Sequence, residues 1–552
     1  MLRLPARPNL EHLKKRAKGL LARYRSGDPA AITRLRAALP AAVGKPDHVI
    51  AGLGLRLRDA QSCIAREYGF ASWVDLKSFV EARMASLEDH PAQVLGWLRL
   101  VYAGDISGSS NRARPAVVSR MLQENPELLR DDPYLACAVG DEATLRQAIA
   151  RDPGWVNRPG GPLNLPPLVA VAHSSLMRLA DYRGRLHACA RLLLEAGADA
   201  DQSVGSRWVP ASLSEPSEKD PLSALYGASG QNHDPELTRL LLEAGANPND
   251  GESLYHSLES PACTELLLKA GARIAGSNAL YRALDLDTPD ALRRLLAHGG
   301  DPNEPALGPP TSDWGTLLLW AIRRQRSRAH IAALLDAGAD ASVKAPDGVS
   351  AHTLALRFGL TDIADLLSQA GAVRQPSQED SFIAACARGD EVEARRIQSA
   401  RPDLPGALFK GQLRLLPELA AAGRAGAVQV MVKLGWPIAT RAGDWEASAL
   451  NHAVFRGDAA LARFLLEHGA SWQEQHGFGD NACGTLSWAS VNEPVDDGDW
   501  LGCAEALVAH GMPAAQPDPA GAESVIVGGK RKWFSEEVTE FLLAAGSAPP
   551  DA

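Results

Sequence analysis

The chain contains one short phrase twice with little change, LLLEAGADAD at residues 192–201 and LLLEAGANPND at residues 240–250. Weaker versions follow, among them LLLKAGARIAG (266–276), LLAHGGDPNE (295–304), LLDAGADASV (334–343) and LLEHGASWQ (465–473). A catalytic site does not need one phrase at so many places, whereas a stack of similar structural units does. The recurrence therefore predicts a repeat architecture.

The spacing of the phrase supports this prediction. Its glycine returns at Gly197, Gly245, Gly271, Gly299, Gly338, Gly371, Gly435, Gly469, Gly511 and Gly546. Most successive glycines are 26 to 48 residues apart, and the widest gap holds SFIAACARGDEVEARRIQSA (381–400), which has the same outline. The period is thus close to that of a two-helix repeat, with uneven spacing between copies.

The stretch ASALNHAVFRGDAALARFLLEHGA (447–470) indicates what one unit contains. Leu450, Ala453 and Val454 share one face of a short helix, which Gly457 is expected to end because glycine enters the left-handed conformation at little cost. Asp458 stands at the N-cap of a second helix, which Gly469 ends in the same way. The pair G-D recurs in VYAGD (101–105), ACAVGD (136–141) and ACARGD (385–390). Neither helix is long enough to be stable alone, so the units must stack.

These phrases resemble the ankyrin repeat, in which the first helix opens near T-P-L-H-x-A and the second ends in L-L-x-x-G-A. Openings of this kind occur at PPLVAV (166–171), DPLSAL (220–225), TLLLWA (316–321), SALNHA (448–453) and TLSWAS (485–490). The run from about Pro91 to Gly546, with ESLYHS (252–257), is similar to divergent bacterial ankyrin proteins. The resemblance implies an all-α fold, an ankyrin-repeat solenoid of stacked helix-turn-helix units with irregular finger loops, preceded by a small helical N-terminal module. We predict the module at 1–85 and about 12 degenerate repeats at 90–547.

The sequence departs from the ankyrin pattern in two ways, one at the opening histidine and one at an insertion. The usual histidine of the opening is replaced by Val169, Ser223, Tyr255, Tyr281, Leu319, Asn451 and Ser487, so the hydrogen bonds that this histidine supplies in the family are in doubt. The segment GSRWVPASLSEPSEK (205–219) is an insertion rich in proline and serine, and we expect it to form a mobile surface loop.

Composition limits the classes of protein that remain. The 7 cysteines form no C-x-x-C pair, which favours reduced thiols in a cytoplasmic protein over a disulfide framework. No apolar run has the length of a membrane span, and the N-terminus lacks the apolar core of a secretion signal. Charge is uneven, because residues 1–85 hold 16 Lys and Arg against 7 Asp and Glu while the whole chain has a net charge of −9. Such asymmetry concerns partners or self-contact more than fold.

The basic N-terminal segment has two interpretations. The stretch IAREYGFASWVDLK (64–77) has the outline of a helix-turn-helix, which would present Ser72, Trp73, Asp75 and Lys77 to DNA. The alternative, which we favour, is a helical module whose Ile64, Phe70, Trp73, Leu76 and Phe79 form its own core. The amphipathic stretch PNLEHLKKRAKGLLARYR (8–25) is also compatible with a membrane-surface or targeting helix.

Motifs that would indicate an enzyme, a metal site or a cofactor site are missing from the sequence, so we expect no catalysis, metal or cofactor. VGGKRK (527–532) lacks the spacing of a phosphate-binding loop, and the acidic run Asp496, Asp497, Asp499 lacks the ordered ligands of a calcium site. His298, His468 and His510 each precede a repeat glycine, where a polar or cationic residue suits a helix C-terminus.

The remaining candidates are aromatic and arginine residues near the predicted finger loops, because interfaces are enriched in these types. We predict that Trp208, Trp314, Arg441 and Trp445 contact a protein partner, whereas Trp320 and Trp488 pack between repeats. The leading hypothesis is a non-catalytic protein–protein interaction scaffold, whose acidic body would prefer a partner with a basic patch. The alternatives are a DNA-linked regulator that binds nucleic acid through residues 1–85 and an interaction effector delivered into another cell.

Overall fold

The computed structural model describes residues 2–5, 7–85, 89–109, 112–129, 132–308, 315–345, 347–371, 375–519, 521 and 524–547. The chain forms two compact units, Met1–Ala279 and Leu280–Ala552. Within each unit the dominant element is a pair of short antiparallel helices that packs on the next pair. The all-α repeat architecture predicted from the glycine phrase is therefore confirmed.

Five helices open the first unit: α1 (Leu10–Arg25), α2 (Pro29–Ala38), α3 (Asp47–Ala51), α4 (Leu57–Glu67) and α5 (Trp73–Ala85). The predicted apolar face of α1 is buried at Leu13, Ala17, Leu20, Leu21 and Tyr24. Ile64, Leu76 and Phe79 are also buried, so these helices share a core.

Helix pairs fill the rest of the first unit: α6 (His90–Val101), α7 (Gly104–Ser107), α8 (Pro115–Glu124), α9 (Pro133–Val139), α10 (Glu142–Arg151), α11 (Pro167–Ala172), α12 (Ala180–Glu195), α13 (Ala224–Tyr226), α14 (Pro235–Glu243), α15 (Ser253–His256) and α16 (Pro261–Lys269). Strands β1 (Ser203–Gly205) and β2 (Pro221–Ser223) pair antiparallel. Turns of 3₁₀ helix lie at Pro126–Leu128, Pro153–Asn157 and Ser175–Arg178, and a π turn lies at Gly227–Gln231.

The second unit continues the pairs as α17 (Ala279–Ala283), α18 (Asp290–Ala297), α19 (Leu317–Arg323), α20 (Arg328–Asp336), α21 (Ala351–Arg357), α22 (Thr361–Gln369), α23 (Gln378–Ala387), α24 (Glu391–Ala400), α25 (Lys410–Leu413), α26 (Leu415–Ala421), α27 (Ala425–Lys433), α28 (Ala449–Arg456), α29 (Ala459–Glu467), α30 (Ala482–Asn492), α31 (Trp500–Ala509) and α32 (Glu536–Ser547). The hairpin β3 (Arg441–Ala442) and β4 (Ala447–Ser448) precedes α28. Strands β5 (Gln516–Pro517), β6 (Val525–Val527) and β7 (Lys530–Lys532) precede α32.

The repeat glycines end second helices in the way that the sequence predicted, with one exception. Positive φ values, between 87° and 98°, occur at Gly197, Gly245, Gly271, Gly299, Gly338, Gly371, Gly435, Gly469 and Gly511. Gly546 instead lies inside α32, where a Cβ would come within 2.5 Å of the Ala515 carbonyl oxygen. Gly546 is therefore needed for close packing and does not end the helix.

The Gly-Asp stops also form, again with one exception. Gly140, Gly389 and Gly457 adopt positive φ, and the carboxylates of Asp141, Asp390 and Asp458 accept hydrogen bonds from backbone N–H groups of the helices that follow. In VYAGD the order is reversed, because Gly104 begins α7 and Gly108 (φ 65°) ends it. The prediction of a glycine stop at Gly104 is wrong.

Asparagine side chains tie neighbouring repeats, although the family's histidine is missing. The Asn303 amide donates to the Gly338 carbonyl at 3.1 Å, and its oxygen accepts from the Asp340 N–H at 2.8 Å. The same clasp forms at Asn157 with Gly197 and Asp199, and at Asn249 with Gly271 and Arg273.

Two of the residues that replace the family's histidine also make inter-repeat bonds. The Tyr281 hydroxyl donates to the Glu304 carbonyl at 2.8 Å, and the Asn451 amide donates to the Glu474 carbonyl at 3.0 Å. Each acceptor lies 23 residues after its donor. Other polar side chains therefore perform the tying role that was in doubt from the sequence.

The insertion at 205–219 is anchored, which differs from the loose surface loop that its composition predicts. Arg207 is only 3% exposed, and its guanidinium donates to the carbonyls of Ile106 and Leu163. Burial lowers the pKa of Arg207 to about 10. The Arg207 side chain thus anchors the base of this segment, together with the pairing of β1 with β2.

All 7 cysteines lie among the described residues, where each is buried and none forms a disulfide. Within the described ranges, every helix is too short or too polar to cross a lipid bilayer.

Candidate functional site

The second unit contains a cleft of about 610 Å³ that is walled largely by aromatic rings, and we name it the aromatic groove. Its lining residues are Asp444, Trp445, Phe455, His476, Phe478, Asp480, Gly484, Thr485 and Trp488. They belong to two successive finger loops and to the first helices, α28 and α30, that follow those loops.

Local structure places each aromatic ring in the groove. Asp444 and Trp445 occupy the turn between β3 and β4, which Gly443 and Glu446 permit through positive φ values of 83° and 48°. Phe455 lies in the last turn of α28, just before Gly457 ends that helix.

The second finger loop lies directly beside the first. The Gly477 N–H donates to the Trp445 carbonyl at 2.8 Å, which brings Phe478 beside the first finger. Trp488 lies in the middle of α30. Two fingers and two helices therefore supply the four aromatic walls.

The rings form one continuous cluster. The Phe455 and Trp488 rings are nearly parallel, with centroids 5.5 Å apart and 9° between planes. Trp445 contacts Phe455 at 5.8 Å and His476 at 5.0 Å, and His476 contacts Phe478 at 6.0 Å. Edge and offset contacts of this kind favour a fixed arrangement over free rotation of single side chains.

Much of this cluster faces solvent. Phe478 is 81% exposed and Trp488 is 53% exposed, whereas Trp445 is half-buried between the fingers. Grouped exposed aromatic rings are uncommon on a protein surface that has no partner, because each leaves apolar area in water. The aromatic groove therefore has the character of a binding surface.

A buried ion pair supports one end of the groove. The Arg323 guanidinium contacts Asp444 at 2.7 Å and Glu418 at 3.1 Å, and Arg323 and Glu418 are 5% and 7% exposed. Burial acts to lower the pKa of Arg323, but the two carboxylates outweigh it and the net shift is upward. Arg323 is thus held charged, and it fixes the finger that carries Trp445.

A second ion pair lies at the other end, where the Lys532 ammonium contacts the Asp480 carboxylate. Burial would raise the pKa of Asp480, but the hydrogen bond from Lys532 leaves it below the ordinary value. Asp480 is therefore ionised at neutral pH, and each groove carboxylate has a cation of the chain beside it.

Two histidines are held neutral, His476 in the groove lining and His452 beside Trp445. Burial lowers the pKa of His452 to about 4, and its Nε2 donates to the Ala442 carbonyl at 3.4 Å. Burial also lowers the pKa of His476, whose Nδ1 accepts from the Phe478 N–H at 3.3 Å. These rings contribute packing and neutral hydrogen bonds at pH 7.

The structure brings two of the four predicted contact residues together. Trp445 lines the groove, and Arg441 is exposed in β3 beside it, with its Nε donating to the Glu446 carbonyl at 2.9 Å. Trp208 lies in the first unit, 59% exposed, with its ring close to Gly104. Trp314 lies outside the described residues.

Sequence reasoning missed the two most exposed aromatic rings of the groove. Trp488 was expected to pack between repeats like Trp320, and Trp320 is indeed only 6% exposed. Trp488 is half exposed, so that expectation is wrong for it. Phe478 stands in QHGFGD (475–480), where an aromatic residue between two glycines in a polar loop is itself a signal of exposure.

The residues of the helix-turn-helix outline largely pack within the first unit. Asp75 pairs at 2.7 Å with Arg114, the residue that precedes α8, and Ser72 caps the start of α5 by accepting from the Asp75 N–H at 3.1 Å. Phe70 is buried, the Arg120 guanidinium lies over its ring, and Trp73 is half-buried. DNA binding through residues 1–85 stays a hypothesis, with Asp75 already holding a cation of the chain.

The other sequence candidates take structural positions. VGGKRK comprises the last residue of β6, the turn that follows it and strand β7. The Nδ1 atoms of His298, His468 and His510 donate to last-turn carbonyls of their own helices at 2.8 to 2.9 Å. Among the described residues, no three His, Cys, Asp or Glu side chains converge so as to hold a metal ion.

Comparison with known proteins adds little to this description. No protein-family model matches the chain, and no curated protein sequence matches it. Among solved structures, the chain is similar to the ankyrin repeat domain of human ASB11, with 21% identity, 45% of this chain and 100% of that chain covered, and a TM-score of 0.32. Since that superposition is loose, the repeat fold rests on the helix pairs and glycine stops of the chain itself.

Proposed function

We propose that the chain is a protein-interaction scaffold and that the aromatic groove is the centre of its binding surface. The observation that carries this proposal is the exposure of Phe478 and Trp488 beside Trp445 and Phe455. Stacked helix repeats generally act as interaction modules, and their finger loops and first helices supply the contacts.

The groove has the composition of a binding hot spot. Tryptophan and arginine are enriched in such sites, because tryptophan offers a large rigid ring and arginine a planar guanidinium that stacks and donates several hydrogen bonds. Trp445 and Trp488 lie in the groove, and Arg441 lies at its edge on the first finger. The groove needs no nucleophile, metal or cofactor for this role, and the expectation that the chain is not an enzyme accords with it.

The first unit offers a separate candidate contact at Trp208, and Trp314 remains a predicted contact outside the described residues. Trp208 stands on a segment that Arg207 anchors, so its exposed ring is presented from a fixed base. We include Trp208 in the proposal as a secondary contact.

Site-directed photo-crosslinking in cells tests the proposal. A photoreactive phenylalanine placed at position 478 of the full chain should capture a defined protein, whereas the same residue at position 392 should not. Val392 is a suitable control because it is 82% exposed and lies on the second helix α24, away from the groove.

Calorimetry with the captured protein then measures the energetic contribution of the groove. We expect Trp488→Ala to weaken binding roughly 10-fold or more, the usual effect of removing a hot-spot residue, and Val392→Ala to leave it unchanged. A partner that binds both variants as tightly as the wild type would refute the groove as the binding centre. If Trp208→Ala is the only substitution that weakens binding of the captured protein, the binding centre lies in the first unit.

A further inference from the structure

A tryptophan followed by an alanine occurs twice in the chain, each time on the first helix of a repeat unit. The two tryptophans differ in whether arginines cover the indole ring. Trp320 of α19 is covered by two arginines of its own helix turn, with the Arg323 and Arg324 guanidinium carbons 4.9 Å and 5.8 Å from the ring centroid. Guanidinium groups stack well on indole rings because they are planar, charged and weakly hydrated. Trp320 is 6% exposed as a result of this and neighbouring packing.

Trp488 of α30 lacks that cover. The residues three and four positions after it are Val491 and Asn492, where Trp320 has Arg323 and Arg324. Phe455 stacks against part of the ring, yet Trp488 stays 53% exposed and Val491 is 54% exposed. The groove therefore presents an indole surface of the kind that elsewhere in this chain holds arginine.

We propose that the aromatic groove binds a basic, arginine-containing peptide segment of a partner protein, with one guanidinium stacked on the open surface of Trp488. This inference rests on the proposed scaffold function and specifies the chemistry of its partner. A guanidinium over Trp488 would occupy the position relative to the indole that Arg323 takes over Trp320.

Charge around the groove is complementary to such a segment. The loop that follows α30 exposes Glu493, Asp496 and Asp497. The first finger exposes Glu446, whereas its Asp444 is paired with Arg323. These carboxylates would attract flanking basic residues and raise the rate of encounter.

The basic strand β7, whose Lys532 contacts the groove residue Asp480, is largely neutralised by contacts within the chain. Lys532 contacts Asp480, and Arg531 contacts Asp518. Lys530 is exposed, and Arg441 lies beside the first finger. The exposed carboxylates of Glu446, Glu493, Asp496 and Asp497 outnumber these two cations, so the balance of charge favours a basic ligand.

Arginine fits this site better than lysine. A lysine ammonium is compact and strongly hydrated, so it loses more hydration when it approaches an aromatic surface. A guanidinium can lie flat on Trp488 and still donate hydrogen bonds from its edge to carboxylates of the acidic loop. We therefore expect discrimination between two peptides of equal charge.

Fluorescence anisotropy with the full chain tests the inference at physiological ionic strength. The probe is a fluorescein-labelled peptide of alternating arginine and glycine, compared with the same peptide carrying lysine or citrulline in place of arginine. Citrulline keeps the planar shape of arginine without its charge. We expect the arginine peptide to bind most tightly, the lysine peptide several-fold more weakly and the citrulline peptide not measurably.

Two substitutions tie the binding to Trp488. Trp488→Ala should weaken binding of the arginine peptide roughly 5- to 30-fold, the range of a cation–π contact that is partly desolvated. Phe409→Ala is the matched control, since Phe409 is also a half-exposed aromatic residue but lies outside the groove lining and the other proposed contacts. The second substitution, Val491→Arg, places an arginine of the chain where Trp320 has Arg323, and it should compete with the peptide and weaken binding, whereas Val491→Ala should not.

The outcomes separate this inference from the scaffold proposal. Equal binding of the arginine and citrulline peptides, or full retention of binding in both Trp488→Ala and Val491→Arg, would overturn the basic-segment assignment. If a captured partner still depends on Trp488 in that case, the scaffold function stands and its ligand has another chemistry. If binding is lost in Trp488→Ala and in Val491→Arg but not in the controls, the assignment is supported.

Discussion

Replacing Arg323 with methionine provides the sharpest test of how the groove is supported. Arg323 is 5% exposed and joins three parts of the second unit, because it contacts Glu418 of α26, Asp444 of the first finger and the ring of Trp320. Methionine keeps much of the side-chain volume and removes only the charge and its hydrogen bonds. The variant therefore isolates the ionic contribution.

The expected cost follows from what the substitution leaves behind. Glu418 is 7% exposed, and a buried charge that loses its partner typically costs about 3–5 kcal/mol. Asp444 is 39% exposed and can be hydrated, so its loss of a partner adds little. Arg414 lies 3.9 Å from Glu418 and compensates in part, which places the expected loss near the lower end, about 3 kcal/mol.

A double variant separates a stranded charge from lost packing. If the cost of Arg323→Met comes from the unpaired Glu418 carboxylate, then Arg323→Met with Glu418→Met should restore stability to within about 1 kcal/mol of the wild type. Pairs of buried charges replaced together by apolar residues are often neutral in this way. Asp444 would remain hydrated in both variants.

Hydrogen exchange measured by mass spectrometry on the full chain is the appropriate assay, because long repeat arrays open locally and do not unfold as one unit. Protection should fall in peptides that cover α26 and the first finger, with little change at α31. A loss below about 1 kcal/mol in the single variant would refute the reasoning, since Arg323 would then not neutralise a buried carboxylate. A double variant as unstable as the single one would refute it independently.

Three further predictions concern pH, a glycine stop and a repeat clasp. Burial lowers the pKa of His452 from its ordinary 6.5 to about 4, so between these pH values the unfolded state binds a proton that the folded state does not. The free energy of unfolding should therefore fall by roughly 3 kcal/mol as the pH drops from 6.5 to 4. In urea unfolding, His452→Gln should remove that part of the loss, and an identical pH profile for both proteins would contradict the assignment. Gly469→Ala should cost about 1–2 kcal/mol of stability through backbone strain, because φ is 98° and no atom lies near the new Cβ to clash with it. Gly19→Ala, inside α1 and equally uncrowded, should be neutral or stabilising by up to about 1 kcal/mol. Thermal melts that show equal effects of the two substitutions would exclude backbone strain as the cause. Asn303→Ala should cost about 0.5–1.5 kcal/mol and raise hydrogen exchange at the Asp340 N–H, an effect that would be missing if water replaced the amide without loss.

The sequence predicted the repeat stack because its signals are local. Gly457 and Gly469 end helices through backbone conformation, and Asp458 caps a helix through a side chain three residues from its donor. Each signal acts within one turn, so no knowledge of distant residues is needed. Gly546 was misread because its requirement comes from Ala515, which approaches from a different part of the chain.

The binding surface was harder to predict because exposure depends on neighbours distant in sequence. Arg207 fixes an insertion whose composition suggested a loose loop, through carbonyls more than 40 residues away. The burial of Trp320 requires Arg323, which is itself held by Glu418 and Asp444. Neither contact can be inferred from composition or local spacing. The sequence alone therefore could not show that Trp320 is buried and Trp488 exposed.

The difference between Trp320 and Trp488 indicates how function arises in a chain of repeated units. Residues that most copies share, such as the glycine stops, are used for stacking and are therefore similar in most units. A residue type that is covered in one copy and open in another is not required by the stack, because the stack forms in both cases. In this chain tryptophan has that property, since it is 6% exposed as Trp320 and 53% exposed as Trp488, where its apolar surface remains in water at a cost in free energy that the fold does not need. Binding of a partner would remove that cost, and so the departures from the repeat pattern, more than the pattern itself, locate the surface on which a partner is held.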